Sequence, residues 1–100
     1  MSQRNAADEQ QVSNAKQKEK LQRERELNDL RFILSTDQGR RTMWRYLELC
    51  GVYKSSFTGS SETFFLEGQR NIGLKIIADI MESDPEAYIK MQKTNKENNK

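Results

Sequence analysis

The side chains of this chain that could do chemistry are its arginines, its carboxylates and one cysteine, because the sequence contains no histidine. A single cysteine cannot build a metal site, and no clustered aspartates match a calcium loop. No nucleophile stands beside a candidate base, and no general acid–base pair is evident. We therefore expect no catalytic residue, no metal and no cofactor, and we interpret Cys50 as a small buried hydrophobe.

The candidate partner-binding residues are Arg40, Arg41, Arg70 and Asn71. Arg40 and Arg41 stand near the start of a predicted helix, where the helix dipole disfavours cations. Two explanations stay open, since the arginines could pair with carboxylates, within the fold or across a subunit boundary, or could hold phosphates. Pairing is favoured because acidic residues are numerous and no basic stripe interleaved with aromatics exists. The candidate carboxylates are Glu48, Glu62, Glu67 and Asp79.

The composition indicates one small domain that is marginal by itself. Of 100 residues only 34% are apolar and 32% are charged, so an interaction partner or self-association would help stability. The single cysteine fits a reducing compartment. No apolar run approaches the roughly 20 residues that span a bilayer, and no signal peptide is visible. A net charge of +2 is not typical of a dedicated nucleic-acid binder.

The element that must position these side chains is a long predicted helix over residues 61–81. At about 100° per residue its apolar face is wide enough to need more than one partner helix. Gly68 and Gly73 interrupt this helix at a cost of about 1 kcal/mol each relative to alanine, which indicates close packing of another backbone. The predicted face consists of Phe65, Gln69, Ile72, Gly73, Ile76 and Ile80.

Three further helices are predicted around it. Leu27, Leu30 and Leu34 mark the docked end of a first helix, and Ser35 with Gln38 matches a capping box. The second helix should run from Asp37 to Cys50 and end at Gly51, with the apolar Val52 just after it. Ser60 or Ser61 should cap the central helix, and Asp84-Pro85 starts a fourth. These signals fit a helical domain over residues 21–91.

The two ends of the chain lack an apolar stripe. Residues 1–20 predict a polar arm, either a flexible, frayed segment or an exposed helix that orders on a partner. Residues 92–100 predict a disordered tail. The fold class is therefore all-α, a small three- to four-helix module with a long polar N-terminal arm. The predicted core residues are Trp44, Phe57, Phe65, Ile72 and Ile76.

Three motifs resemble a known family. They are Gly39–Trp44 (GRRTMW), Cys50–Tyr53 (CGVY) and Glu67–Leu74 (EGQRNIGL), and together with flanking residues they cover about 35–91. This pattern is similar to the Bbp-nineteen-like family of small virion structural proteins of short-tailed phages (podoviruses). The resemblance implies a phage particle component, close to the portal or inside the head. It carries no catalytic or ligand residues to transfer.

The expected function is that of a non-enzymatic virion structural protein. It would dock by helix faces on a larger head or portal assembly, or travel inside the capsid, after passing through the host cytoplasm during assembly. Phage structural proteins are the expected partners, and self-association into a homo-oligomer is left open. The alternatives are a DNA-binding helix-turn-helix-like module, an assembly or scaffolding chaperone absent from the mature particle, and a cytoplasmic helical adaptor.

The core assignment of Trp44 can be tested by truncation. We expect Trp44→Ala to lower the free energy of unfolding by about 3–5 kcal/mol, because a buried indole leaves a cavity. Urea denaturation followed by circular dichroism measures this loss. A much smaller loss would mean that Trp44 is an exposed contact residue.

Overall fold

The computed structural model describes residues 6–98, and this part of the chain forms four helices and no strand. The helices are α1 (Ala6–Leu34), α2 (Asp37–Leu49), α3 (Glu62–Ser83) and α4 (Pro85–Asn98). The predicted all-α class is confirmed. The molecule measures 64 × 39 × 15 Å. Since one helix with its side chains is about 10–12 Å wide, a body 15 Å thick can enclose few residues on every side.

The core lies where the end of α1, the end of α2, the C-terminal half of α3 and the start of α4 meet. Trp44 and Ile76 are half-buried and pack against it, as the sequence predicted for both. All four helices contribute, so no pair of helices could bury this cluster alone. Its buried hydrophobic members are Leu34, Leu47, Val52, Ile80, Ala87 and Met91.

Three predicted core residues are not in the core. Phe57, Phe65 and Ile72 are 78%, 66% and 58% exposed, so these assignments were wrong for the single chain. The neighbouring helices cover only the C-terminal half of α3. In the connection before α3, the Ser56 hydroxyl bonds to the Glu67 carboxylate. The polar contact fixes this connection while the Phe57 ring stays in solvent.

α1 is one continuous helix whose first half is exposed to solvent. Residues 6–22 are all exposed, and Arg23 bonds to Asp79 of α3. The exposed-helix alternative for the arm therefore describes residues 6–20, whereas residues 1–5 of the predicted arm lie outside the described residues. Good helix formers such as Gln, Lys and Glu explain why this polar segment is helical without packing.

The C-terminal tail differs from its prediction. α4 continues to Asn98, so residues 92–98 are helical instead of disordered, while residues 99–100 lie outside the described residues. Ala87 and Met91 are buried and Asn95 is half-buried. Docking by these residues, spaced at four, nucleates a helix that the following Lys and Glu residues can extend.

The cap of α2 is Thr36, one residue later than predicted. The Thr36 hydroxyl accepts a hydrogen bond from the Gly39 N–H at 2.9 Å. Ser35 instead donates its hydroxyl back to the Phe32 carbonyl at 2.6 Å. The predicted capping box was therefore wrong, because Ser35 still belongs to the last turn of α1.

Two other boundaries confirm the sequence signals. Gly51 has a φ of +74°, and its N–H donates to the Glu48 carbonyl while the Val52 N–H donates to the Leu47 carbonyl. This is a Schellman motif, with an apolar contact between the buried Val52 and Leu47. At the start of α4 the Asp84 carboxylate accepts from the Ala87 N–H at 3.3 Å, as the Asp-Pro signal predicted.

The two glycines of α3 have opposite surroundings. A Cβ at Gly73 would meet the Val52 Cγ1 and would lie 2.7 Å from the Cys50 Cβ. The end of α2 therefore packs directly on the α3 backbone at Gly73, which confirms the predicted close approach there. A Cβ at Gly68 would meet nothing within 4 Å, so the same prediction for Gly68 was wrong within the single chain.

Alanine substitution of each glycine distinguishes the close contact at Gly73 from the open space at Gly68. We expect Gly73→Ala to lower the free energy of unfolding by about 1–2 kcal/mol, because the clash outweighs the gain in helix propensity. Gly68→Ala is the matched control on the same helix and should raise it by about 1 kcal/mol. Urea denaturation of dilute protein measures both. Stabilisation by Gly73→Ala would contradict the close contact with α2.

Candidate docking surface

Polar bonds at Ser83 attach α1 to the C-terminal end of α3. The Ser83 side chain is buried, and its hydroxyl donates to the Leu27 carbonyl at 2.7 Å. In return, Arg31 donates from Nε and Nη2 to the Ser83 carbonyl at 3.0 and 2.8 Å. A guanidinium at a helix C-terminus satisfies a carbonyl that has no intrahelical partner. All three hydrogen bonds therefore join α1 to α3 at one residue, Ser83.

Arg23 adds an ion-pair cluster on the same side of α3. Its Nη2 lies 2.7 Å from the Asp79 Oδ1 and 2.7 Å from the Glu82 Oε2. The hydrogen bonds that Arg23 donates, the one to Asp79 first and then the one to Glu82, raise the pKa of its guanidinium above the ordinary value. The sequence predicted Asp79 as a candidate partner of Arg40, Arg41 or Arg70. It is paired instead with Arg23, which was not among the candidate residues.

Arg40 is engaged inside the fold. Its Nη1 donates to the Leu34 carbonyl at 2.7 Å, and its Nη2 forms an ion pair with Asp37. Only 14% of its side chain is exposed. Arg40 thus closes the C-terminus of α1 by the same chemistry that Arg31 provides for α3. The carboxylate that it pairs with is Asp37, not one of the four predicted carboxylates.

The other three predicted partner-binding residues lie at two places. Arg41 is exposed and lines a cleft of about 520 Å³ between α2 and α4, opposite Asn95. On α3, Arg70 is half-buried and Asn71 is exposed. Within residues 6–98 the side chains of Arg41, Arg70 and Asn71 form no hydrogen bond, either with one another or with other residues. The structure does not gather the four into one site, and their role in partner binding stays a prediction.

An uncharged apolar surface covers the N-terminal half of α3, and we call it the α3 strip. It is defined by Phe64, Phe65, Gly68, Asn71 and Ile72. Phe64 is 82% exposed, and the helical spacing of three, four and seven places all five residues on one side of the helix. The sequence analysis placed Phe65 and Ile72 in the core and missed Phe64. Among the predicted partner-binding residues, only Asn71 lies on the strip.

The α3 strip continues the face of α3 that α1 covers. Ser83 and Ile76 lie seven residues apart on that face, and Ile72 and Phe65 extend it toward the N-terminus. α1 could not cover the extension with its own side chains, because its facing positions become charged before Leu27. These positions are Lys16, Lys20 and Arg23. This charge pattern was the sequence signal that could have placed the strip in solvent.

Trp44 lines the cleft between α2 and α4 and belongs to a cluster of three aromatic rings. Trp44 stacks on Tyr53 with centroids 4.7 Å apart, and Tyr88 lies 6.5 Å away. The Tyr53 and Tyr88 hydroxyls are 2.9 Å apart. Burial first, and then this hydrogen bond, raises the pKa of Tyr53 above its ordinary value. Within the described residues, the buried Trp44 Nε1 has no acceptor.

One protein family matches the packed part of the chain. The model of a family described as Bbp19-like phage protein matches residues 30–93. The chain belongs to this family. No curated protein and no solved structure matches it. The resemblance deduced from the three motifs is therefore confirmed, and with it the statement that this is a phage protein.

Each motif that carries the Bbp19-like resemblance has a structural role here. Gly39–Trp44 forms the first turns of α2 with the Arg40 cap, Cys50–Tyr53 contains the Schellman motif, and Glu67–Leu74 carries most of the α3 strip. The matched range includes Arg31 and Ser83 but begins after the exposed half of α1. The family pattern thus coincides with the packed part of the molecule.

Membrane-spanning helices and metal-binding groups are both absent from the described residues. None of the four helices is long and apolar enough to cross a membrane. No group of three or more His, Cys, Asp or Glu residues in the same part of the chain could hold a metal ion.

The aromatic cluster predicts a pH dependence of stability. Tyr53 has a raised pKa in the folded chain, so the folded state keeps its proton where the unfolded state, with a pKa near 10, loses it. The free energy of unfolding should fall as the pH rises above 10, and Tyr53→Phe should make that fall shallower. Urea titrations between pH 8 and 12 measure it. Identical slopes for the two proteins would contradict a role for the bond between the Tyr53 and Tyr88 hydroxyls.

Proposed function

We propose that this chain is a non-enzymatic structural protein of the phage particle, which docks by its helix faces on a larger head or portal assembly. The family supplies the phage context. The observation that carries the proposal is the distribution of apolar side chains. Within residues 6–98, 14 large hydrophobic residues are exposed while only six hydrophobic residues are buried. A protein that leaves this much apolar surface in water gains stability by association.

The exposed half of α1 offers a second means of docking. Residues 6–22 form a solvent-exposed helix with both signs of charge and with Val12 and Leu21 as its exposed large hydrophobics. Such a helix can lie on a polar protein surface without ordering cost, because it is already formed. The arm would set the orientation of the module on the assembly, and the packed part would supply the apolar contact.

Among the predicted partner-binding residues we assign the polar contacts of docking to Arg41, Arg70 and Asn71. Arg40 serves as a positioning residue, because its guanidinium is bonded to Leu34 and Asp37. An exposed arginine such as Arg41 can form a bidentate pair with a partner carboxylate, which fixes orientation as well as adding affinity. The chain would be found in the virion, and in the host cytoplasm during assembly.

The location is tested by quantitative mass spectrometry of purified virions. We expect the chain at a fixed copy number per particle. Presence in infected cells together with absence from purified virions would contradict the structural role and indicate an assembly chaperone. A salt-steep affinity for duplex DNA would instead indicate DNA binding, since released counterions give such a dependence.

The arginine assignment is tested in the same particles. Phage carrying Arg41→Glu should incorporate fewer copies per virion, because the substitution reverses the charge offered to the partner carboxylate. Arg25→Glu is the matched control, since Arg25 is exposed on α1 and lies outside the matched family range. Equal incorporation of the two variants would remove Arg41 from the docking contact.

A further inference from the structure

The α3 strip has no covering element within its own chain. Residues 6–22 of α1 are exposed, and the positions that continue the Leu27 face of α1 by helical spacing, Lys16, Lys20 and Arg23, are charged. The connection between α2 and α3 is fixed by polar bonds from Ser56 to Glu67 and from Thr58 to Thr63. These contacts leave Phe57, in the same connection, exposed to solvent. A covering surface must therefore come from another molecule.

The shape of the strip fits a helix of its own kind. Gly68 is a notch with open space beyond it, and Phe64 and Ile72 project four residues before and after it. When two such helices run antiparallel about a two-fold axis through Gly68, Phe64 of one copy lies opposite Ile72 of the other. Each copy thus contributes the same two bulky side chains to the same two contacts. An isologous interface requires this self-complementarity.

The composition of the strip is that of a homodimer interface. Its five residues are uncharged, and charged side chains border it, with Glu62 before it, Lys75 after it and Glu67, bonded to Ser56, along one edge. Interface centres are depleted of charge and enriched in aromatic residues, whereas the rim is polar.

The exposed area also fits a second copy. With about 200 Å² for a whole large side chain and the exposed fractions of Phe64, Phe65 and Ile72, the strip offers roughly 400 Å² of apolar surface per copy. A standard interface buries about 800 Å² per partner, and in homodimers about 65% of it is apolar. The strip alone thus supplies about three quarters of the apolar area of one standard homodimer interface.

We propose that a second copy of this chain covers the α3 strip, forming an antiparallel two-fold dimer centred on Gly68. The dimer joins two flat modules along α3 and leaves the exposed halves of both α1 helices outside the contact. It depends on the chain alone and holds whether or not the chain remains in the virion.

The oligomeric state of the full chain tests the dimer. Sedimentation equilibrium should show a reversible monomer–dimer equilibrium in the micromolar range. Phe64→Ser should weaken it by roughly 30-fold or more, as expected for a central aromatic residue of an interface. Phe32→Ser is the matched control, because Phe32 is 79% exposed at the end of α1 and lies off the strip. Neither side chain is buried, so both variants should keep their helices, which circular dichroism verifies.

Gly68→Ala provides a second, opposite readout. In dilute solution the added methyl group stabilises α3, since nothing lies within 4 Å of it. At the dimer axis the same methyl group fills the notch, so the dissociation constant should rise by roughly tenfold or more, as overpacking of an interface predicts. A variant that is more stable yet associates more weakly cannot be explained by misfolding.

Disulfide trapping tests the register. Under mild oxidation Gly68→Cys should form a covalent dimer, because a two-fold axis brings this residue next to its own copy. Ala78→Cys, exposed on α3 but ten residues from Gly68 and so about 15 Å along the helix from the axis, should not, and Cys50 is present in both variants as a common background.

Three results would overturn the proposal. They are a wild-type chain that sediments as a monomer throughout the micromolar range, equal weakening by Phe32→Ser and Phe64→Ser, and equal trapping of the two cysteine variants. If the chain is monomeric and Phe64→Ser lowers incorporation into virions, the strip binds a different phage protein. In that case the second copy is excluded while the proposed structural function stands.

Discussion

The attachment of α1 to the C-terminal end of α3 is the interaction on which the rest of the structure depends. Ser83 bonds the Leu27 carbonyl, Arg31 bonds the Ser83 carbonyl, and Leu34 and Ile80 are fully buried at the same level. Because α1 is held only at this end, its first half projects into solvent. For the same reason the N-terminal half of α3 lacks a neighbour, so one local attachment explains both exposed regions.

The arginines show how a chain with many charges uses them in a thin fold. Arg31 and Arg40 each satisfy carbonyls at the end of a helix, and Arg23 joins two carboxylates of α3. These three side chains connect helices that share few buried apolar residues. Hydrogen bonds to a charged group contribute more than neutral ones. Arg41 and Arg70 make no such bonds among residues 6–98, which leaves them for contacts outside the chain.

The small core and the large exposed apolar surface have a common consequence. A body 15 Å thick encloses only a few apolar side chains on all sides, so most of the large ones stay exposed in the single chain. A contact along α3 would stabilise the chain that forms it, and it would explain a glycine at position 68 that packs against nothing in the single chain.

The sequence by itself determined the helices, most of their ends and one close contact. Gly51 and Val52 specify a Schellman motif, Asp84-Pro85 specifies the start of α4, and Gly73 marks where α2 meets α3. These features follow from local backbone chemistry and spacing, which the sequence contains. The family motifs add the phage context but no site.

Only the tertiary structure decided which part of the apolar face is buried. Periodicity shows that Phe65, Ile72, Ile76 and Ile80 share one face of α3, but it contains no information about how far a neighbouring helix follows that face. α1 diverges where its facing positions become charged, so Ile80 is enclosed and Phe65 is left in water. The tertiary structure also decided the partners of the arginines. A carbonyl at the end of a helix has no intrahelical partner, but packing of the helices determines which arginine can reach it.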